Sequence, residues 1–99
     1  MTKLLNELAA ENYLQELVFD ALVERSAYYF AELNYIHPFR EGNGRATREF
    51  MRQLYDFNGY EVNWAAVSTE DLLAAMEASV FDTVELEMVL RKCLHLKIE

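Results

Sequence analysis

The chain's single proline, Pro38, and two of its three glycines, Gly42 and Gly44, fall within one short stretch. Elsewhere almost nothing forces the backbone to turn. Glycine and proline are the strongest interrupters of regular structure, and a sandwich or barrel of short strands needs them at every connection. Their scarcity argues for helices, and their concentration marks one deliberate break between two of them.

The apolar residues agree with this reading. Leu4, Leu5 and Leu8 open a short apolar pattern, and Leu14, Leu17 and Val18 recur at helical spacing. From Ala21 the pattern sharpens, with Leu22, Tyr29, Phe30, Leu33 and Ile36 near one face. This helix should end just before Pro38, because the residue preceding a proline avoids the α region. A second helix is expected from about Gly44 to Phe57, with Ala46, Phe50, Met51, Leu54 and Phe57 on its buried face and Asn58-Gly59 ending it. Glu61 to Trp64 reads as a connector. Ser68 or Thr69 can cap a helix running to about Ala78, whose first turn holds Glu70 and Asp71. Asp82 or Thr83 can cap a last helix containing Val84, Met88, Val89, Leu90 and Leu94, with Arg91 and Lys92 near its end. The fold class is therefore all-α. With no repeat, low-complexity segment or linker, residues 1–99 read as a single domain, small for an enzyme that binds a substrate.

A formal net charge of -8 repels a nucleic-acid backbone, which argues against DNA or RNA as a partner. A bound nucleotide is compatible with that charge, since a local arginine cluster inverts the field inside a cleft. Cys93 is the only cysteine, so no intrachain disulfide is expected and the chain suits a reducing, cytoplasmic compartment. No apolar run is long enough to span a bilayer, and Met1 to Glu7 lacks the make-up of a signal peptide.

The break itself, His37-Pro38-Phe39-Arg40-Glu41-Gly42-Asn43-Gly44-Arg45-Ala46-Thr47-Arg48, carries the chemistry. A helix starting at Gly44 offers unpaired backbone N–H groups and the positive end of its dipole, and glycine lets a phosphate approach the backbone closely. Arg45 and Arg48, three residues apart, serve the same end of that helix, and a guanidinium binds two phosphate oxygens at once. Glu41 beside phosphates needs a cation between them, for which Mg²⁺ is the natural choice. His37, at the opposite lip, can take the proton of an attacking hydroxyl. Anion hole, metal carboxylate, two arginines and a base together suit phosphoryl or nucleotidyl transfer.

The segment resembles the Fic family signature, His-Pro-Phe-any-Asp/Glu-Gly-Asn-Gly-Arg-any-any-Arg, at every specified position. The likeness extends upstream through Val23-Glu24-Arg25 and Leu33-Asn34-Tyr35-Ile36, and downstream to Gly59-Tyr60 and Trp64. It implies a small helical bundle whose central helix–loop–helix carries the active-site loop. It also implies AMP transfer from ATP, with Mg²⁺, to a Tyr, Thr or Ser of a target protein. His37 would be the general base and Phe39, after Pro38, a structural anchor under the loop. Glu41 would hold Mg²⁺, and Gly42, Asn43 and Gly44 would form the anion hole. Arg45 would contact the phosphates, and Arg48 would reach the γ-phosphate or pair with a nearby carboxylate. A phosphotransferase branch of the family has Lys where this chain has Gly44, so Gly44 favours AMP transfer.

Two features of the family are not evident. No Gly or Pro precedes Ala21, so there is no signal for the β-hairpin flap that aligns the target chain, and the resemblance implies a shortened member or a fragment. The inhibitory motif Ser/Thr-any-any-any-Glu-Gly/Asn has its spacing in Thr83 and Glu87, but Met88 occupies the last position. Inhibition by a separate small antitoxin is the other route known in the family. Two further readings stand beside AMP transfer: a nucleotide-binding or interaction module without turnover, and transfer of another group from another nucleotide. Arg40 and Arg52 read as solvated surface, and Cys93 and His95 as structural residues, because two ligands do not make a zinc site. Tyr13, Tyr35, Tyr55 and Tyr60 are candidates for self-modification.

Overall fold

A computed structural model describes residues 2–36 and 43–97. Its helices are α1 (Thr2–Ala10), α2 (Phe19–Ile36), α3 (Asn43–Phe57), α4 (Thr69–Ala78) and α5 (Val84–Cys93). Two three-residue strands, β1 (Tyr60–Val62) and β2 (Leu94–Leu96), pair antiparallel with Glu61 opposite His95. The helical bundle is as expected. The strands are an addition: the connector at Glu61 is β1, and Leu94 leaves the last helix to begin β2. A strand of three residues is too short to leave a readable alternation in the sequence.

α2 is the central element, packed against α1, α3 and α5. Leu22, Val23, Ala27, Tyr29, Phe30 and Leu33 are all buried, so more than one face of the helix lies in the core. Each Leu- or Phe-sized side chain taken from water in this way contributes about 1.5–3 kcal/mol before entropy is counted. α3 is strongly amphipathic and buries Met51, Leu54 and Tyr55, with Phe50 packed at the margin. Here the expected face is shifted: Ala46 and Phe57 are exposed and Tyr55 takes the inward place. The shift leaves Tyr55 with no exposed surface, which removes it from the accessible tyrosines.

The chain from Asn12 to Glu16 is not the helical continuation that Leu14, Leu17 and Val18 suggest. It is a 3-10 turn over Asn12–Leu14 with positive φ at Asn12, Tyr13, Leu14 and Glu16. The turn is held from several sides. Leu14 is buried, Asn58 donates through Nδ2 to the Tyr13 carbonyl at 3.0 Å, and Glu11 is gripped by α2. Asn58 also donates to the Leu54 carbonyl, and Gly59 at φ 84 ends α3 where Asn58-Gly59 was expected to.

Ser68 caps α4 by accepting the Asp71 N–H at 3.0 Å. At α5 the two candidate caps divide the work. Asp82 accepts the Val84 N–H, while the Thr83 hydroxyl donates to the Glu87 carboxylate at 2.9 Å. Cys93 lies in the core, where burial pushes its thiol pKa up. Exposed His95 stands 3.2 Å from Glu61 across the strand pair, a structural setting for both residues. Among the described residues no helix is long and apolar enough to cross a membrane.

Candidate functional site

The motif starts just after the longest helix described, α2, and runs into the first turns of α3. α2 ends at Ile36 and α3 begins at Asn43, so the chain enters and leaves the break on helix termini, as its Pro and Gly content requires. His37, Pro38, Phe39, Arg40, Glu41 and Gly42 lie outside the described residues, as does the side chain of Asn43. The helical backbone of Asn43 and Gly44 puts the N-terminus of α3 inside the motif, one residue earlier than expected.

The electrostatics of that terminus differ from those of its neighbours. α2 carries Asp20 in its first turn, α4 carries Glu70 and Asp71, and α5 carries Glu85 and Glu87. These carboxylates offset the positive end of each helix dipole. α3, like α1, has no acidic residue in its first turn, and Arg45 and Arg48 add cationic charge there. In a chain of net charge -8, a helix N-terminus of this kind with two nearby guanidinium groups is suited to an anion.

Arg45 is exposed, whereas Arg48 is half-buried. Arg48 lines a cavity of roughly 290 Å³ with Trp64, Ala65, Val67, Ser68, Thr69 and Leu72. The walls are placed by the fold. The Trp64 ring meets Phe30 of α2 edge-on, with centroids 5.7 Å apart and planes at 66°. Asn63 accepts the Ala65 N–H at 3.1 Å, and its own N–H donates to the Cys93 carbonyl at 2.8 Å. Ser68 both caps α4 through its hydroxyl and is a lining residue of this cavity. Sequence reasoning found Ser68 only as a cap and Trp64 only as a continuation of the motif. Nothing in the spacing, sixteen to twenty positions beyond Arg48, signals that they meet it.

Arg52 is separate from this arrangement. It donates to both oxygens of Glu49 at 2.9 and 2.6 Å on the outer face of α3, and that contact draws the Glu49 carboxyl down to about 2. It is the solvated surface residue its position suggested. Among the described residues no group of three or more His, Cys, Asp or Glu side chains could hold a metal ion. Glu41, the metal carboxylate of the motif, lies outside them.

Comparison with known proteins places this geometry in a family. The Fic/DOC family profile matches residues 2–55, from α1 through the motif to nearly the end of α3. The protein adenylyltransferase VbhT of Bartonella schoenbuchensis is 40% identical over 80 residues, covering 81% of this chain and 17% of that protein. A protein of Escherichia coli named "Probable protein adenylyltransferase Fic" is 37% identical over 90 residues, covering 90% of this chain and 45% of that one. Among solved structures, BepC of Bartonella tribocorum, a VirB-translocated effector protein with bound AMPPNP, superposes with a TM-score of 0.88 at 28% identity. The superposition covers 98% of this chain and 47% of BepC. The chain thus spans less than half the length of these relatives. On the match across its first helices and the motif, the chain belongs to the Fic/DOC family.

Proposed function

We propose that this chain transfers AMP from ATP to the hydroxyl of a Tyr, Thr or Ser side chain on a target protein. The observation that carries the reading is the complete sequence motif from His37 to Arg48, which follows α2 and runs into α3, in a chain whose relatives include VbhT, a protein adenylyltransferase. The ATP analogue bound in BepC supports a nucleotide as the ligand.

In this reading His37 is the general base. As it takes the proton, the hydroxyl oxygen attacks the α-phosphorus of ATP. The bond from that phosphorus to the oxygen bridging to the β-phosphate breaks, and pyrophosphate leaves. Gly42, Asn43 and Gly44 present backbone N–H groups to the phosphates, Arg45 holds them from the first turn of α3, and Arg48 engages the distal end of the triphosphate. Pro38 and Phe39 shape the loop. Mg²⁺ suits the donor chemistry, because it favours one or two carboxylates completed by substrate phosphates, and Glu41 would be that carboxylate. When bound, the ion neutralises phosphate charge. The cytoplasm suits the buried thiol of Cys93, either that of the producing cell or, for an effector, that of a target cell.

The test is transfer of label from ATP, radioactive at its α-phosphate, into proteins of a cell lysate, beside a His37→Ala control. Label that vanishes in the control is expected; equal label in both would sink the assignment of His37. A second reading keeps the nucleotide but not the turnover. It is a nucleotide-binding module or a module that interacts with a small antitoxin, and it draws on the absence of a hairpin signal ahead of Ala21. Mg²⁺-ATP binding in a calorimeter beside a silent transfer assay would favour it.

A further inference from the structure

α2 and α3 hold the two lips of the motif, and their contact is mostly apolar. Apolar packing is non-directional and by itself tolerates small slides of one helix along another. A directional contact between them is buried in the core. The Tyr55 hydroxyl of α3 donates to Ser26 Oγ of α2 at 2.8 Å, and Ser26 donates in turn to the Val23 carbonyl at 3.2 Å. Neither Tyr55 nor Ser26 has exposed surface. A phenol hydroxyl buried among apolar side chains loses heavily if its acceptor moves away, so this pair fixes the register of α3 along α2 to within hydrogen-bond tolerance. Burial also pushes the Tyr55 pKa up, which keeps the hydroxyl a donor at any working pH.

The pair is aligned with the site. Arg48, Met51 and Tyr55 follow one another at spacings of three and four, which places them on one stripe of α3. Met51 and Tyr55 are buried, and Arg48 continues the stripe to the cavity walled by Trp64 and Ser68. A slide or roll of α3 that breaks Tyr55–Ser26 would carry Arg48 and the N-terminus of α3 with it.

We infer that Tyr55 and Ser26 are a positioning pair: they set the register of the two helices that bear the motif, and so govern how tightly the nucleotide is held, without touching it. The inference rests on the nucleotide reading above.

The experiment uses the full chain and its Tyr55→Phe, Ser26→Ala and Tyr55→Phe/Ser26→Ala variants. Melting temperature and affinity for AMPPNP with Mg²⁺ are measured by scanning and titration calorimetry. Ser26→Ala strands a buried hydroxyl and should lower the melting temperature most. The double variant removes both partners, and its stability should return close to that of the parent. Affinity should not return with it: a loss of about tenfold is expected in the double variant and in Tyr55→Phe, as sub-ångström misplacement of a phosphate ligand would produce. A double variant with parental stability and parental affinity would overturn the inference and leave the pair purely structural. Should the double variant fold poorly, Tyr55→Phe decides alone, because it keeps the ring and leaves Ser26 bonded to Val23; parental affinity there overturns the inference. A parent chain that binds no AMPPNP overturns the nucleotide reading and this inference together.

Discussion

Arg25 grips Glu11 with two parallel hydrogen bonds, from Nε and Nη2, each 2.8 Å long, and Tyr29 donates to the same carboxylate. The contact joins the end of α1 to the middle of α2. Arg25 holds the Glu11 carboxyl below its ordinary value of 4.5, against the opposing effect of burial. A carboxyl depressed in the folded state contributes its full stability above its unfolded pKa and loses it as pH falls through the folded value. Thermal stability should therefore decline on acidification below pH 4.5. Glu11→Gln should cost about 1 kcal/mol at neutral pH, since the half-exposed Arg25 is screened by solvent, or roughly 4–8 °C in melting temperature. The variant should also show a shallower acid slope than the parent. Parallel slopes in melting curves from pH 7 to pH 3 would remove Glu11 from the account.

The backbone beyond that contact holds Glu16 at φ 65, in the left-handed region that side chains other than Gly, Asn and Asp avoid. Glu16 is exposed, so replacing it disturbs no packing. Glu16→Asn is expected to raise the melting temperature by a few degrees, the equivalent of about 0.5–1 kcal/mol, with nucleotide binding unchanged. A lowered melting temperature would mean that the turn is unstrained by its side chain.

These examples show where the sequence was legible. The end of α2 and the start of α3 were readable because Pro38 cannot continue a helix and glycines so close together weaken one, and Ser68 was readable as a cap because Glu70 and Asp71 follow it. The left-handed turn after α1 was not, since none of Asn12, Tyr13, Leu14 and Glu16 is a glycine and the turn is imposed by tertiary contacts to Leu14, Tyr13 and Glu11. The strand pair was missed for a related reason: β1 and β2 are three residues each, and their pairing is long-range. For the site, the motif displayed its own ligands, but Trp64 and Ser68 reach Arg48 only through the packing of Trp64 on Phe30 and the capping of α4. No local pattern encodes that meeting.

Ser68 allows stability and binding to be separated. Its hydroxyl caps α4, and the residue lines the Arg48 cavity. Ser68→Ala should lower stability by about 1 kcal/mol through loss of the cap. Ser68→Asp keeps a capping oxygen and adds favourable charge at the start of α4, so its melting temperature should match the parent's or exceed it. The same carboxylate faces the cavity that Arg48 lines and competes with phosphate there. AMPPNP affinity should fall about fivefold or more in Ser68→Asp, the equivalent of about 1 kcal/mol. Undiminished affinity in a well-folded Ser68→Asp variant would place the nucleotide away from this cavity.

Two of the three arginines on α3 make the sharpest comparison. Arg48 and Arg52 are four residues apart on one helix, yet Arg48 lines the cavity beside the motif while Arg52 is committed to Glu49 on the exposed face. If Arg48 engages the distal phosphates, Arg48→Ala should reduce label transfer about a hundredfold, the equivalent of about 3 kcal/mol in transition-state stabilisation. Arg48→Lys should recover only part of it, because an ammonium keeps the charge but cannot bind two oxygens in one plane. Arg52→Ala removes a solvated pair between neighbours on one helix, and transfer should stay within about twofold of the parent, with a stability change of about 0.5 kcal/mol or less. Raising the salt concentration should weaken nucleotide binding of the parent more than that of Arg48→Ala, since the variant lacks the charge being screened. Equal losses in Arg48→Ala and Arg52→Ala would indicate that α3 contributes only general positive field, and the assignment of Arg48 as a specific phosphate ligand would be withdrawn.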